Sequence, residues 1–162
     1  MPPNVPVSVR KKNQRRYYSG KKKRHTQKAQ VIADKLSGKI IATAFSEGKM
    51  ADIALFQRSH SAMVASVQCL GDSGYQGLQH SHANSQTPKK KSKFHPLTDA
   101  EKASNRDISR RRVGCEHIIG RLKVFRILME RYRNRRRRFG LRFNLIAAIC
   151  NRNAMSRLMK EV

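Results

Sequence analysis

Apolar residues follow different spacings along the chain, and each spacing predicts a different kind of element. In residues 27–34 apolar and other side chains alternate, which predicts a half-buried strand. Residues 40–45 are β-branched and apolar, and the turn-forming residues 34–39 predict that the two strands form a hairpin. Residues 67–70 form a shorter apolar run, which predicts a buried strand that ends in a glycine-rich turn at 71–77.

Helical spacing dominates the rest of the chain. Asp52 is a candidate N-cap for a helix that reaches about residue 66. Thr98 stands three residues before Glu101, and this capping-box pattern predicts a long helix that reaches about residue 125. Near the C-terminal end apolar residues recur at helical spacing and predict an amphipathic helix: Leu141, Leu145, Ala148, Ile149, Met155 and Met159. The order of hairpin, helix, strand and helices predicts an α/β layer.

The charge of the chain points to a polyanionic partner. Thirty-six lysine and arginine residues stand against ten aspartate and glutamate residues, which gives a formal net charge of +26. A protein of this kind neutralises phosphates and releases counterions, so its binding to DNA should weaken steeply with salt. A solvated basic tail is the alternative, and we expect it for residues 1–24, a basic and poorly ordered segment. We expect residues 25–162, where apolar residues recur with clear periodicity, to form one domain.

Neither a membrane nor a disulfide framework is predicted. The longest useful apolar run, residues 145–150, is far too short to cross a bilayer, and no apolar signal segment follows the basic N-terminus. The cysteines Cys69, Cys115 and Cys150 are widely spaced and odd in number. We therefore expect no membrane partner and a cytoplasmic, nucleoid-associated location. Cys115 and His117 lack a second ligand pair at zinc spacing, and we expect Cys115 to pack in the core.

A single acidic residue in a basic stretch is the first candidate for chemistry. Glu116 lies four residues after Arg112 and seven before Lys123. On a helix these steps return to nearly the same face, so one carboxylate would lie between two cations. That arrangement suits a site that holds a metal ion and a phosphate together.

A second carboxylate stands at the end of a predicted strand. Asp72 follows the apolar run 67–70 and precedes the glycine-rich turn. The carboxyl end of a strand is the usual place for a site in an open α/β sheet, although an aspartate that bonds its own turn is a common alternative. Together with Glu116, Asp72 would supply the hard oxygen ligands that Mg²⁺ prefers, and a pair of such ions can promote an in-line displacement.

Further basic residues are candidates for phosphate contact. Lys89 and Lys90 lie in a polar segment, residues 80–96, that we interpret as a mobile loop. Arg135 and Arg136 belong to an arginine-rich run, 131–138, that could be a solvated helix face or could follow a DNA backbone. Six arginines in eight residues repel one another without a counter-ion, so we favour phosphate contact.

Several motifs in one order closely resemble those of bacterial insertion-sequence transposases of the DDE type. They are YYSGKKKRHT at residues 17–26, GDSGYQGL at 71–78 and the spacing Arg112-x3-Glu116-x6-Lys123. The likeness covers roughly residues 11–153. It implies a ribonuclease H-like fold of the integrase and transposase type. It also implies two divalent metals (Mg²⁺ or Mn²⁺) held by Asp, Asp and Glu, and DNA transposition by cutting element ends and joining the freed 3′ hydroxyl to target DNA.

The resemblance assigns roles to particular residues. By it Asp72 is the second catalytic acid and metal ligand and Glu116 the third, while Arg112 and Lys123 match basic positions that flank the glutamate and are expected at DNA. Arg121 is a further candidate DNA contact in the same basic stretch. Double-stranded DNA, as element ends and target, is the implied partner. A second copy of the protein is also implied, because transposition must pair two ends.

Two departures from the family pattern shape the expectation for this chain. Ser109 stands where the family usually has a tyrosine, and counting back places the first catalytic Asp at or before Met1. No acid precedes Asp34, which by this interpretation ends a strand. We therefore expect a partial domain that lacks its first strand, from a truncated, inactive copy that still binds DNA. The alternatives are a non-catalytic nucleic-acid-binding protein or transposition regulator, and a small basic RNA-binding protein that would not need the Asp72 and Glu116 pair.

Overall fold

The computed structural model describes residues 3–9, 14–61, 63–92, 94 and 96–158 and has a mixed α/β fold. The strands are β1 (Asn4–Pro6), β2 (Tyr18–Ser19), β3 (Arg24–Ala33), β4 (Ile40–Glu47), β5 (Cys69–Leu70) and β6 (Ser85–Gln86). The helices are α1 (Gln14–Tyr17), α2 (Asp52–Arg58), α3 (Asp99–Lys123), α4 (Arg126–Met129) and α5 (Phe139–Leu158). Residues 51–114 form a first compact unit, and the described residues of 3–50 and 115–158 form a second.

The sheet of the second unit is antiparallel and is built around β3. Both β1 and β4 pair with β3 at Lys28, so β3 lies between them, and β2 pairs with β3 near its start. The predicted hairpin is confirmed, although β3 begins at Arg24 and β4 continues to Glu47. In the turn, the Ser37 amide donates to Asp34 Oδ2 at 2.7 Å, and Gly38 has a φ of +63°. That left-handed conformation favours glycine.

In the described residues 3–9 and 14–24, strands and a short helix lie where the sequence predicted a poorly ordered segment. Strand β1 pairs with β3, and Val5 and Val7 are buried in the core of the second unit. The amide of Tyr132 donates to the Pro6 carbonyl at 2.7 Å, which fixes the end of this strand. The basic composition had suggested a solvated tail. Because β3 provides hydrogen bonds to β1, the alternating Val5 and Val7 can bury one face of that segment. The sheet therefore has a strand ahead of the hairpin.

Helix α5 packs on β4, through the face opposite to the one we predicted. The Phe45 ring on β4 makes edge contacts with Phe139 and Phe143, with ring centroids 5.5 and 5.3 Å apart. The side chain of Asn151 accepts from the Ile40 amide at 2.8 Å and donates to the Ile40 carbonyl at 2.9 Å, which fixes the rotation of the helix. The buried residues are Phe139, Phe143, Ile146, Ala147, Cys150 and Ala154. Within the described part of α5, the predicted apolar stripe faces solvent.

The first unit differs from its prediction in two places. Helix α2 ends at Arg58 instead of near residue 66, and its N-cap is Ala51, so Asp52 is the first helical residue and not the cap. The segment 80–96, expected to be a mobile loop, contributes β6, which pairs in parallel with β5. A two-residue strand has no periodicity that a sequence pattern could reveal.

Helix α3 begins as predicted. Glu101 N donates to Thr98 Oγ1 at 3.2 Å, and Thr98 N donates to Glu101 Oε2 at 2.9 Å, which completes the reciprocal capping box. The helix continues for 25 residues to Lys123. Of the helices in the described residues, none is long and apolar enough to cross a membrane.

Candidate functional site

Asp72 is held by its own turn directly after β5. It caps a 3-10 helix at Ser73–Tyr75, and its Oδ1 accepts the Gly74 amide at 2.6 Å. The side chain is half-buried. Asp72 can bond its own turn and still serve as a ligand, because the hydrogen bond from the backbone fixes one carboxylate oxygen at the end of a strand.

Asp52 lies beside the same turn, which the sequence did not suggest. A Cβ added to Gly74 would lie 2.3 Å from Asp52 Oδ2 and 2.9 Å from Asp72 Oδ1. Both carboxylates therefore crowd the position that glycine leaves open, and only a residue without a side chain fits between them. The helix-start pattern gave Asp52 a capping role and contained no signal for this contact.

Glu116 lies in the C-terminal half of α3 and is exposed. Arg112 and Lys123 occupy the same continuous helix at the predicted spacing; Arg112 is half-buried and Lys123 is exposed at the last helical residue. A rigid helix thus carries all three side chains at steps of four and seven residues. Asp72 belongs to the first unit and Glu116 to the second.

Arg111 also has a clear place, although the sequence did not single it out. Its guanidinium donates to Gln86 Oε1 at 2.9 Å and to the side-chain oxygen of Gln68. Gln86 lies on β6 and Gln68 immediately precedes β5. Arg111 therefore ties α3 to the strand that carries the Asp72 turn.

Two of the candidate arginines have partners within the fold. Arg121 Nη2 donates to the Gly38 carbonyl at 3.0 Å, in the turn between β3 and β4. The guanidinium carbon of Arg136 lies 4.5 Å from the ring centroid of Tyr17, a cation–π contact. Arg135 is exposed just before the 3-10 helix at Arg136–Arg138. Of these three arginines, Arg135 is the one that the structure presents most openly to a ligand.

The lysine candidates lie next to the start of α3. Lys89 forms an ion pair with Glu101, the acidic residue of the capping box, while Lys90 is exposed. The pKa of the Glu101 carboxyl is lowered below its ordinary value of 4.5, and the hydrogen bond from Lys89 is the largest cause. Asn105 accepts the Lys89 amide at 2.8 Å, so this part of the segment 80–96 is tied to α3.

The remaining candidate chemistry is weaker. Among the described residues, no three His, Cys, Asp or Glu side chains are grouped as metal ligands. Cys150 is buried in the core, whereas Cys115 is only half-buried and is not part of the buried core that we predicted for it. Burial raises the pKa of the Cys69 thiol and, partly offset by Arg121, that of Cys150. Neither thiol has the lowered pKa of a reactive nucleophile.

Comparison with known proteins identifies the family. A model of the DDE superfamily endonuclease family matches residues 4–151. The probable transposase for insertion sequence element IS702 of Microchaete diplosiphon is 41% identical over 146 residues, which are 90% of this chain and 53% of that protein. This chain belongs to the DDE superfamily endonucleases. The family that the motifs around Asp72 and Glu116 resembled is thereby confirmed.

The match to the curated relative covers only part of that protein's length. The chain spans about half the length of the curated relative that it matches. No solved structure matches it. The matched residues include Asp72 and Glu116, since both lie within residues 4–151.

Proposed function

We propose that the chain is part of a transposase-type DNA endonuclease and strand transferase, with Asp72 and Glu116 as two of its metal ligands. The Asp72 turn is the observation that supports this most. One carboxylate oxygen accepts the Gly74 amide directly after β5, so the side chain is oriented by the backbone before a metal or DNA arrives. In a member of the DDE superfamily endonucleases, that position suits the second catalytic acid.

The donor atoms of the proposed site fit a divalent metal. Carboxylate oxygens are the ligands that Mg²⁺ and Mn²⁺ prefer. When bound, two such ions would activate a water molecule and stabilise the leaving oxygen of a phosphodiester. The chain itself would contribute the fixed Asp72 carboxylate and Glu116 on rigid α3, with Arg112 and Lys123 close along the same helix to neutralise phosphate charge.

We infer a ribonuclease H-like arrangement for the complete domain. Three features support it: the antiparallel order of β1, β3 and β4, an acid after the next strand β5, and an acid on the long helix α3. The order of the acids along the chain matches the family pattern that the motifs resemble.

We also propose that this chain, by itself, binds DNA without cutting it. No acidic residue precedes Asp34 in the sequence. Asp34 is committed to the hairpin turn, where Ser37 donates to its carboxylate through both the amide and the hydroxyl and lowers its pKa. Two of three metal ligands would bind metal more weakly and would leave the water poorly placed.

The test is a nicking assay on supercoiled plasmid with the purified chain and Mg²⁺ or Mn²⁺. We expect a DNA complex in a mobility-shift gel and no conversion to nicked circles. Nicking that disappears in Asp72→Asn and in Glu116→Gln would overturn the proposed inactivity while supporting the site. No DNA complex at low salt would overturn the proposal of DNA binding.

A transposition regulator is the second candidate function. It is favoured by the net charge of +26. In this case the chain would occupy element ends and compete with an active transposase, in the bacterial cytoplasm at the nucleoid. Affinity for the element's terminal sequence over unrelated DNA distinguishes a regulator from a merely basic nucleic-acid-binding protein.

A further inference from the structure

Asp52 and Asp72 come from different elements and approach each other at Gly74. An ideal Cβ on Gly74 would lie 2.9 Å from Asp72 Oδ1 and closer still to Asp52 Oδ2. Asp52 is half-buried, and its Oδ1 is withdrawn from solvent. Water and salt screen a carboxylate charge in such a place less than one on the open surface. The charge of Asp52 therefore acts on the same small volume as the carboxylate of Asp72.

Helix α2 determines where the Asp52 charge lies. Asp52 is the first residue of this helix and Phe56 follows it by about one turn, so both side chains lie on one face. The Phe56 ring meets the Tyr75 ring edge-on, with ring centroids 6.4 Å apart. Tyr75 is the last residue of the 3-10 helix that Asp72 caps. One face of α2 thus contacts the Asp72 turn at two places, through the aromatic pair and through Asp52.

The turn that carries Asp72 also has its own backbone support. The Gly71 amide donates to the Gln86 carbonyl at 2.9 Å, and the Tyr75 amide donates to the Asp72 carbonyl at 3.0 Å. Neither of these hydrogen bonds involves Asp52. We therefore expect the turn to keep its shape when the charge of Asp52 is removed, which allows an effect of the charge to be measured apart from an effect on the fold.

Two carboxylates at one glycine favour the binding of a cation. Carboxylates that approach each other repel, and a divalent cation bound to one of them attracts both. The charge of Asp52 would therefore strengthen the hold of Asp72 on Mg²⁺ or Mn²⁺. We propose that Asp52 is a positioning residue, whose charge strengthens metal binding by the Asp72 carboxylate. This inference rests on the proposed function, because it takes Asp72 to be a metal ligand.

Two variants remove the charge of Asp52. Asp52→Asn keeps the size of the side chain, and Asp52→Ser shortens it to a residue that is also common where helices begin. Binding of Mn²⁺ by the full chain is measured by electron paramagnetic resonance, with a DNA duplex present. We expect each variant to weaken Mn²⁺ binding at least about tenfold, as loss of a residue that supports a metal ligand commonly does.

Asp99→Asn is the matched control for Asp52→Asn. It removes the same charge from the same unit, at a side chain that is 97% exposed and paired with Lys102 on α3. Mn²⁺ binding should be unchanged in this variant. An equal loss in Asp99→Asn and Asp52→Asn would mean that only the net charge matters, and it would overturn the proposal.

A double variant tests whether Asp52 acts through Asp72. In an Asp72→Asn background, Asp52→Asn should cause no further loss of Mn²⁺ binding, because the ligand that it supports is already absent. A further loss as large as the one in the wild-type background would mean that Asp52 binds the ion independently. That result would contradict a positioning role.

A purely structural role for Asp52 predicts a different set of changes. Asp52→Asn would then lower the melting temperature and the DNA affinity in EDTA together with Mn²⁺ binding. We expect its melting temperature and DNA affinity to match those of Asp99→Asn, since both variants lose one negative charge. A fall in all three quantities overturns the proposal, and so does unchanged Mn²⁺ binding in Asp52→Asn.

The same titrations separate this inference from the proposed function. If Asp72→Asn reduces Mn²⁺ binding and Asp52→Asn does not, the metal site is supported and the role of Asp52 is wrong. If Asp72→Asn leaves Mn²⁺ binding unchanged, the proposed site fails and the role of Asp52 fails with it.

Discussion

At the scale of single residues, the candidate site depends on what surrounds Asp72. The sequence located this aspartate from a short apolar run and a glycine-rich turn, and the structure adds the Gly74 hydrogen bond. Asp52 could not be found in the same way, because it comes from α2, and only the fold brings its carboxylate beside Gly74. Local patterns identify residues that organise their own turn, and contacts between distant segments are outside their reach.

Gly74 provides the sharpest prediction at this scale. Gly74→Ala should lower the free energy of unfolding by about 1–3 kcal/mol, because its Cβ would force Asp52 and Asp72 apart. Gly120→Ala is the matched control: no atom lies within 4 Å of its added Cβ on α3, so alanine should stabilise by about 0.5–1 kcal/mol. Chemical denaturation of the two variants measures both. Equal effects would show that the Gly74 position is not crowded.

Variants of Arg121 and Arg135 distinguish an arginine that stabilises the fold from one that we propose binds DNA. Arg121→Gln should lower the melting temperature because it removes the bond to the Gly38 carbonyl. Arg135→Gln should leave the melting temperature unchanged and weaken DNA binding, since Arg135 is exposed. Differential scanning fluorimetry and fluorescence anisotropy with a labelled duplex give the two readouts. A reversed pattern would move Arg121 back among the DNA contacts.

At the scale of elements, the sequence predicted best where the signal was local and reciprocal. The β3–β4 hairpin and the start of α3 were found because alternation and a capping box each leave a fixed pattern. Our prediction of which face of α5 is buried was wrong for a physical reason. Both faces of this helix are apolar, and the choice between them depends on aromatic packing with Phe45 and on the bonds of Asn151 to Ile40.

The capping box of α3 gives a prediction for stability. Thr98→Ala should cost about 1 kcal/mol, because it removes the oxygen that accepts the Glu101 amide. Thr98→Ser retains that oxygen and is the control. Urea denaturation compares the three proteins. If Ser and Ala behave alike, the hydrogen bond in the box contributes nothing.

The capping box of α3 also makes the stability of the fold depend on pH. The bond from Lys89 lowers the folded-state pKa of Glu101, so the ionised group adds stability above its ordinary pKa of 4.5 and loses it as pH falls through the lowered value. Glu101→Gln lacks the charge. We expect wild type to exceed this variant in melting temperature above pH 4.5 and the gap to close at lower pH. A gap that widens on acidification would contradict this sign.

At the scale of the whole molecule, net charge and family membership both support the proposal that DNA is the partner. The chain carries a net charge of +26 and belongs to the DDE superfamily endonucleases. Composition alone could not distinguish an enzyme from a basic RNA-binding protein. The motifs around Asp72 and Glu116 pointed to the DDE family, and the 41% identity to a probable transposase supports that family.

The central proposal is that Asp72 and Glu116 are ligands in one metal site. Titration of Mn²⁺ by electron paramagnetic resonance, with a DNA duplex present, tests it most directly. We predict that Asp72→Asn and Glu116→Gln each reduce the amount of bound Mn²⁺. The double variant should lose no more Mn²⁺ than the single variant that binds Mn²⁺ more weakly. Glu130→Gln is the control and should change nothing, because Glu130 is an exposed acid paired with Arg126. Unchanged Mn²⁺ binding in both single variants, or losses that simply add, would contradict the account.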